Sequence, residues 1–266
     1  MPTVYVNGAD LYYESAGSGP VLLFVHGMCG NAGVWADQVR RLSDRFRCVG
    51  YDRRGHTRSS LGDLQQRTVE LHADDAAGFI EALGLPSCVY VGSSGGARIG
   101  VDVVRRYPHL LMGAVLSEPP IMALAPDGGR EFMALVRPNI EKAIATGGPR
   151  AAVDAFFELA CPGLWSRLDE RQKEPYRANH AELLGDLSMP PYQIGDEHLA
   201  TIRVPCMIIA GRDSDPTLRA IANRVAVHIR GAEFLELANC GHVTYAEQPE
   251  AFAESVRRFA EKLFAS

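Results

Sequence analysis

Apolar strand-like runs and helical patterns alternate along this 266-residue chain, and the alternation lapses only between Pro119 and about Thr201. A chain built this way has few options. Strands separated by helix-length crossovers pair in parallel, and a parallel sheet needs helices over both faces. The runs Val21–Val25, Arg47–Tyr51, Ser87–Val91, Leu111–Leu116, Pro205–Gly211 and Glu233–Leu237 read as its strands. Helical spacing covers Trp35–Leu42, Val69–Leu83, the stretch from Ala97 to Tyr107, Thr217–Val225 and Pro249–Leu263. Ahead of them, "TVYV" and "ADLYYE" flank Asn7-Gly8, the signal of a tight type I′ hairpin. Within the lapse, "REFMALVRPNIEKAIATGG", "RAAVDAFFELA" and "RQKEPYRANHAELL" read as short helices broken by Pro and Gly. We therefore expect a core of residues 1–118 and 202–266, with residues 119–201 forming a helical cap. Such an insert sits at the carboxyl edge of the sheet, where open α/β sheets hold their ligands.

Composition narrows the function. Apolar residues make up 47% and charged residues 22%, and the formal net charge is −5, all ordinary for a globular protein. No basic stripe, Arg-rich arm or zinc-finger spacing points to nucleic acid. The cysteines, Cys29, Cys48, Cys88, Cys161, Cys206 and Cys240, are scattered without a CxxC pair and read as small buried hydrophobes. The opening "MPTVYVNGADLYY" lacks the basic and apolar blocks of a signal peptide. No apolar run reaches the roughly 18 residues of a membrane span. The expectation is a reduced, cytoplasmic protein, monomeric or homodimeric.

Chemistry concentrates at "VYVGSSGGAR", where a strand meets a helix. A nucleophile elbow is Gly-x-Ser-x-Gly in that setting. Gly92 and Gly96 lie two residues either side of Ser94, which makes Ser94 the nucleophile candidate; Ser93 has Val91 at the corresponding place. The Gly95 amide opens the helix and can face a developing oxyanion. A hydroxyl needs a base. His242, in a loop after the last strand ("ELANCGHVTYAEQPEAF"), can reach over the elbow. His26, in "LLFVHGMCGN", is expected to be structural, holding its loop so that Met28 N–H, or Gly27 N–H, becomes the second oxyanion donor.

The segments "FVHGMCG", "YDRRGHTRS", "GSSGG" and "CGHVTYAEQPEAF" resemble the α/β-hydrolase superfamily over nearly the full chain. That resemblance implies an α/β fold with a mostly parallel eight-stranded sheet, helices on both faces, and a helical cap after strand six. It also implies a Ser–acid–His order, with Ser94 as nucleophile, His242 as base, and Gly95 and Met28 as oxyanion donors. Thr57 stands where many members carry glycine. For the acid two loops compete. Asp213 and Asp215 follow the strand of "PCMIIAGRDSDPTLRA", where the family's commonest arrangement puts it, although their position also suits helix capping. Glu118, in "GAVLSEPP", follows the strand after the elbow helix, and a carboxylate buried there needs a partner. Some members, similar to the resorcylic macrolactone hydrolases, use a Ser–Glu–His triad and a comparable Glu-x-Pro segment. Glu118 is the preferred acid and Asp215 the alternative.

These residues predict a serine esterase or lactonase that cleaves a hydrophobic small molecule through an acyl-enzyme, without metal or organic cofactor. Trp35, Met122, Phe132, Phe157 and Trp165 are candidates for an apolar substrate wall. Arg98, one turn into the elbow helix, is expected to pair with an acidic neighbour, with a substrate carboxylate as the lesser alternative. Carbon–carbon hydrolases, cofactor-free perhydrolases and acyltransferases share the serine and stay open. So does a binding protein or receptor of the same fold that holds a small molecule without turnover.

Overall fold

The computed structural model describes residues 1–62 and 67–265. The Asn7-Gly8 turn, with φ of 47° and 81°, joins β1 (Thr3–Val6) to β2 (Ala9–Ala16). Next come β3 (Val21–Val25), α1 (Ala36–Leu42), β4 (Arg47–Tyr51), α2 (Val69–Ala82), β5 (Cys88–Ser93), α3 (Gly95–Arg106) and β6 (Leu111–Ser117). The α-helices α4 (Pro126–Gly147), α5 (Ala151–Ala160), α6 (Pro162–Trp165), α7 (Glu170–Ala178), α8 (His180–Leu187) and α9 (Asp196–Leu199) follow with no strand between them. Alternation resumes with β7 (Cys206–Gly211), α10 (Pro216–His228), β8 (Glu233–Leu237), α11 (Thr244–Glu247) and α12 (Pro249–Phe264).

The strands form one eight-stranded sheet in the order β1-β2-β4-β3-β5-β6-β7-β8, and every pairing from β4 onward is parallel. Its central strands β3, β5 and β7 are buried along their whole length. That is why they read as unbroken apolar runs and not as alternating ones. Residues that alternate along each strand feed two separate cores. Leu23, Tyr90 and Ile208 pack under Phe79 of α2, Val101 of α3 and Ile221 of α10. Leu22, Phe24 and Val91 pack on the other face against Leu42 of α1 and Phe252 and Phe259 of α12. Because β3 has β4 on one side and β5 on the other, successive connections leave in opposite directions. The loops after β3 and β5 flank the crevice that this reversal creates.

The helical stretch between β6 and β7 has a third core of its own, in which Val136, Val153, Phe157, Trp165 and Leu183 are buried. Phe157 stacks on Trp165 with ring centroids 4.6 Å apart, and such a pair adds about 1 kcal/mol beyond its burial. Polar ties fasten the stretch to the sheet along α8. Asn179 Nδ2 donates to the Cys29 and Gly30 carbonyls at 2.9 and 3.0 Å, and its Oδ1 accepts from Thr57 N–H at 2.8 Å. Thr57 takes the left-handed backbone that glycine adopts freely, φ 44°, and the Asn179 contacts offset that strain. Arg67 grips Glu182 with two bonds of 2.8 Å. Among the described residues no helix is long and apolar enough to cross a membrane.

Candidate active site

Ser94 occupies the sharp turn between β5 and α3, at φ 53° and ψ −121°. A non-glycine residue held there is strained, and the strain has to be over-determined by its surroundings. Its N–H donates to the Ser117 carbonyl and its carbonyl accepts from Arg98 N–H, both at 2.9 Å. Close approach does the rest. A Cβ at Gly92 would lie 2.6 Å from the Gly96 carbonyl oxygen, and one at Gly96 would run into the Val25 carbonyl. Gly96→Ala should therefore cost about 3 kcal/mol by forcing α3 away from β3, read as a lowered urea midpoint with an unchanged m-value. A variant as stable as wild type would show that the turn is looser than it looks.

Ser94 meets the ends of two other segments. His242 Nε2 lies 2.9 Å from Ser94 Oγ, and His242 Nδ1 lies 2.6 Å from Glu118 Oε2. Glu118 follows β6, has no solvent exposure, and takes φ 46°. Its Oε1 accepts from Gly211 N–H at 2.8 Å and its Oε2 also accepts from Ser214 Oγ at 2.6 Å. Strand register explains the proximity: Ser93 and Ser117 are paired across β5 and β6, so the residues that follow them emerge side by side. Asp215 goes elsewhere. It is exposed at the start of α10, where its carboxylate caps Thr217 N–H at 2.7 Å. Asp213 is exposed too.

The loop after β3 passes directly over the elbow. A Cβ at Gly27 would sit 3.1 Å from Ser94 Cβ, and one at Gly95 would sit 3.4 Å from the Met28 nitrogen, so the Met28 and Gly95 amides border one space beside Ser94. As the first residue of α3, Gly95 has no intrahelical acceptor for its N–H. His26 holds the loop. Its Nδ1 lies 2.8 Å from the Gly27 carbonyl and its Nε2 accepts from Arg53 N–H at 2.9 Å. His56 is wired alike, with Nδ1 3.0 Å from the Arg54 carbonyl and Nε2 3.1 Å from Arg53 Nη2. Burial, with the Arg53 charge alongside, holds both imidazoles well below their ordinary pKa, and burial pushes His72 down to about 3.

Two cavities open on Ser94 and His242. One is narrow and apolar, walled by Val34, Phe157, Leu164, Trp165, Tyr176 and Tyr245. The other, of about 250 Å³, runs under the helical stretch past Met122, Phe132, Phe156 and Arg98. Met122, Phe132, Phe157 and Trp165 thus line these cavities, but Trp35 does not. Asn31 caps a short 3₁₀ turn, Ala32–Trp35, that aims the indole inward. There it is fully buried against Phe24, Tyr245 and Phe252, and its neighbour Val34 takes the place at the wall. Arg98 also departs from expectation: among the described residues it makes no ion pair and no side-chain hydrogen bond, and Asp186, the acid that acts on it most, is bonded instead through Oδ2 to Arg53 at 3.2 Å with its Oδ1 unpaired. Sequence reading missed Ser214, whose hydroxyl holds Glu118; nothing in "GRDSDP" marks it, since the two aspartates around it are the residues that look chemical. No three His, Cys, Asp or Glu side chains among the described residues are grouped to hold a metal ion.

A mostly parallel sheet with a Gly-x-Ser-x-Gly elbow at its central crevice is the architecture of an α/β hydrolase. The chain belongs to that family: the model of the alpha/beta hydrolase family matches residues 22–255. It is a hydrolase. Among curated proteins it is 37% identical over 123 residues to the uncharacterized hydrolase YraK of Bacillus subtilis, a match that takes in 46% of this chain and 45% of that one. The chain thus matches less than half the length of that relative. Among solved structures, a thermophilic esterase from Thermogutta terrifontis superposes with a TM-score of 0.77 at 22% identity, covering 98% of each chain. The enol-lactonase from Burkholderia xenovorans LB400 gives 0.72 at 24% identity, covering 97% of this chain and 99% of that one. At such identities the likeness is one of fold.

Proposed function

We propose that the chain is a serine hydrolase that cleaves a carboxylic ester or lactone of a largely apolar small molecule through an acyl-enzyme. The observation that carries this reading is the unbroken hydrogen-bonded line from Glu118 through His242 to Ser94. Ser94 Oγ bonds to the substrate carbonyl carbon while His242 Nε2 takes its proton, and the carbonyl electron pair moves onto oxygen. The Met28 and Gly95 amides donate to that oxyanion, an interaction worth about 3 kcal/mol per donor in a preorganised site. Glu118 keeps the histidine proton on Nδ1 and stabilises the imidazolium. Collapse of the intermediate breaks the bond to the leaving oxygen, which takes the proton from Nε2. Water, deprotonated by His242 in turn, then releases the acid and restores Ser94.

Residues 119–201 act in this reading as a cap that supplies the substrate walls. The fold likeness to an esterase and an enol-lactonase supports the choice of ester and lactone. The test is covalent labelling with a fluorophosphonate probe, followed by peptide mass spectrometry. Rapid single-site modification of Ser94, absent in Ser94→Ala, is expected. Modification at Ser93, or none on folded protein, would reject the assignment.

A further inference from the structure

The larger cavity holds a charge for which the proposed chemistry has no use. Arg98 follows Ser94 by one turn of α3, and its side chain lines the cavity with Ser94, Gly95 and His242. Its Nε is sealed from solvent and, among the described residues, the guanidinium has no hydrogen-bond or ion-pair partner. Arg137 of α4, exposed and likewise unpaired among the described residues, lines the same cavity. Asp186 is the one carboxylate among the described lining residues, and Arg53 already holds its Oδ2. Two guanidinium groups without a bonded partner therefore share with Arg53 a single carboxylate, whose Oδ1 is itself unpaired among the described residues, in a space otherwise walled by Met122, Phe132, Met133, Phe156 and prolines.

A guanidinium does not escape burial by losing its proton at any ordinary pH. Leaving it half-buried without a counter-ion costs the free protein stability, and natural proteins pair such groups. Arg98 also lies where an ester bound at Ser94 would extend: residues four apart on a helix are about 5–6 Å apart at Cβ. We infer that this cavity selects esters that carry a carboxylate, with Arg98 as the specificity-determining residue that binds it and Arg137 as a second cation nearer the surface. A planar guanidinium matches a carboxylate with two parallel hydrogen bonds. The inference rests on Ser94 as nucleophile and deepens that reading: the substrate is apolar at one end and anionic at the other.

The experiment compares kcat/KM for two anionic esters with their neutral primary-amide analogues. One, the mono-para-nitrophenyl ester of glutaric acid, carries the carboxylate on the acyl side. The other, the butanoyl ester of para-hydroxyphenylacetic acid, carries it on the alcohol side. Wild type should prefer at least one anion over its amide by about 10- to 100-fold, the range of one charge-assisted hydrogen-bonded contact. Arg98→Gln should erase that preference by lowering kcat/KM for the anions far more than for the amides. Arg98→Lys should keep part of it, and Arg137→Gln should lower it less. The inference is overturned if wild type prefers neither anion, if the preference survives Arg98→Gln, or if that variant loses the amides equally. Failure of the serine reading looks different: wild type turns over no ester of either kind, Ser94 stays unlabelled, and this inference falls with it.

Discussion

Glu118→Gln should lower kcat about 10,000-fold on any ester the protein turns over, with little change in fold. The size follows from the hydrogen bonds around the carboxylate. Gly211 N–H points at one oxygen, so the amide of a glutamine must present its own oxygen there. Its NH₂ then faces His242 Nδ1 and Ser214, where Glu118 had an acceptor. The imidazole answers by moving its proton to Nε2, the atom that must receive the Ser94 proton. Geometry survives and the tautomer is wrong. Asp215→Asn is the control, because asparagine caps a helix as well as aspartate does. Turnover near wild type is expected there. Should Asp215→Asn prove the crippling change and Glu118→Gln the mild one, the acid has been misassigned.

The second large effect is on stability in acid. His26 and His56 each receive a donor on Nε2 and donate from Nδ1, which fits only the neutral ring, and His72 is buried beside them with Nε2 unpaired among the described residues. All three are depressed in the folded state by burial. Unfolding returns them to an ordinary pKa near 6.5, so below that pH the unfolded chain binds more protons than the folded one. Stability is complete above about pH 6.5 and is lost as the pH falls from there toward the depressed folded values. All three rings act in the same direction, so their losses accumulate as the pH falls. Urea midpoints should fall between pH 7 and pH 5, with net proton uptake on unfolding over that range. A flat profile over that range would mean that these rings are already charged or exposed in the folded protein.

The frame was legible from sequence because parallel strands buried on both faces leave unbroken apolar runs that helices then separate. Val21–Val25, Arg47–Tyr51 and Glu233–Leu237 are strands with the boundaries that periodicity suggests. Ser94 was legible for a related reason, since the glycines around it answer to backbone contacts that any chain making this turn must accommodate. Local sequence was not enough for the acid. Glu118 and Asp215 both follow apolar strands, and only the register of β5 on β6 carries one carboxylate to His242 while the start of α10 occupies the other. Trp35 misleads because a single 3₁₀ turn decides which way its indole points. Arg98 misleads because the acid near it is already engaged by Arg53, which lies far away in sequence.

The pairing of Ser93 with Ser117 has one more consequence. In the proposed mechanism Ser94 and Glu118 follow neighbouring strands of the same hydrogen-bonded ladder, whose spacing of about 4.8 Å is common to all sheets. The helices between β6 and β7 take no part in that ladder. In the proposed reading, the cutting residues and part of the substrate wall therefore sit on separate pieces of the chain. Drift in the insertion can then change the part of the wall that Phe132 and Phe156 supply, while the spacing of Ser94 and Glu118, and Arg98 one turn along α3, stay with the sheet.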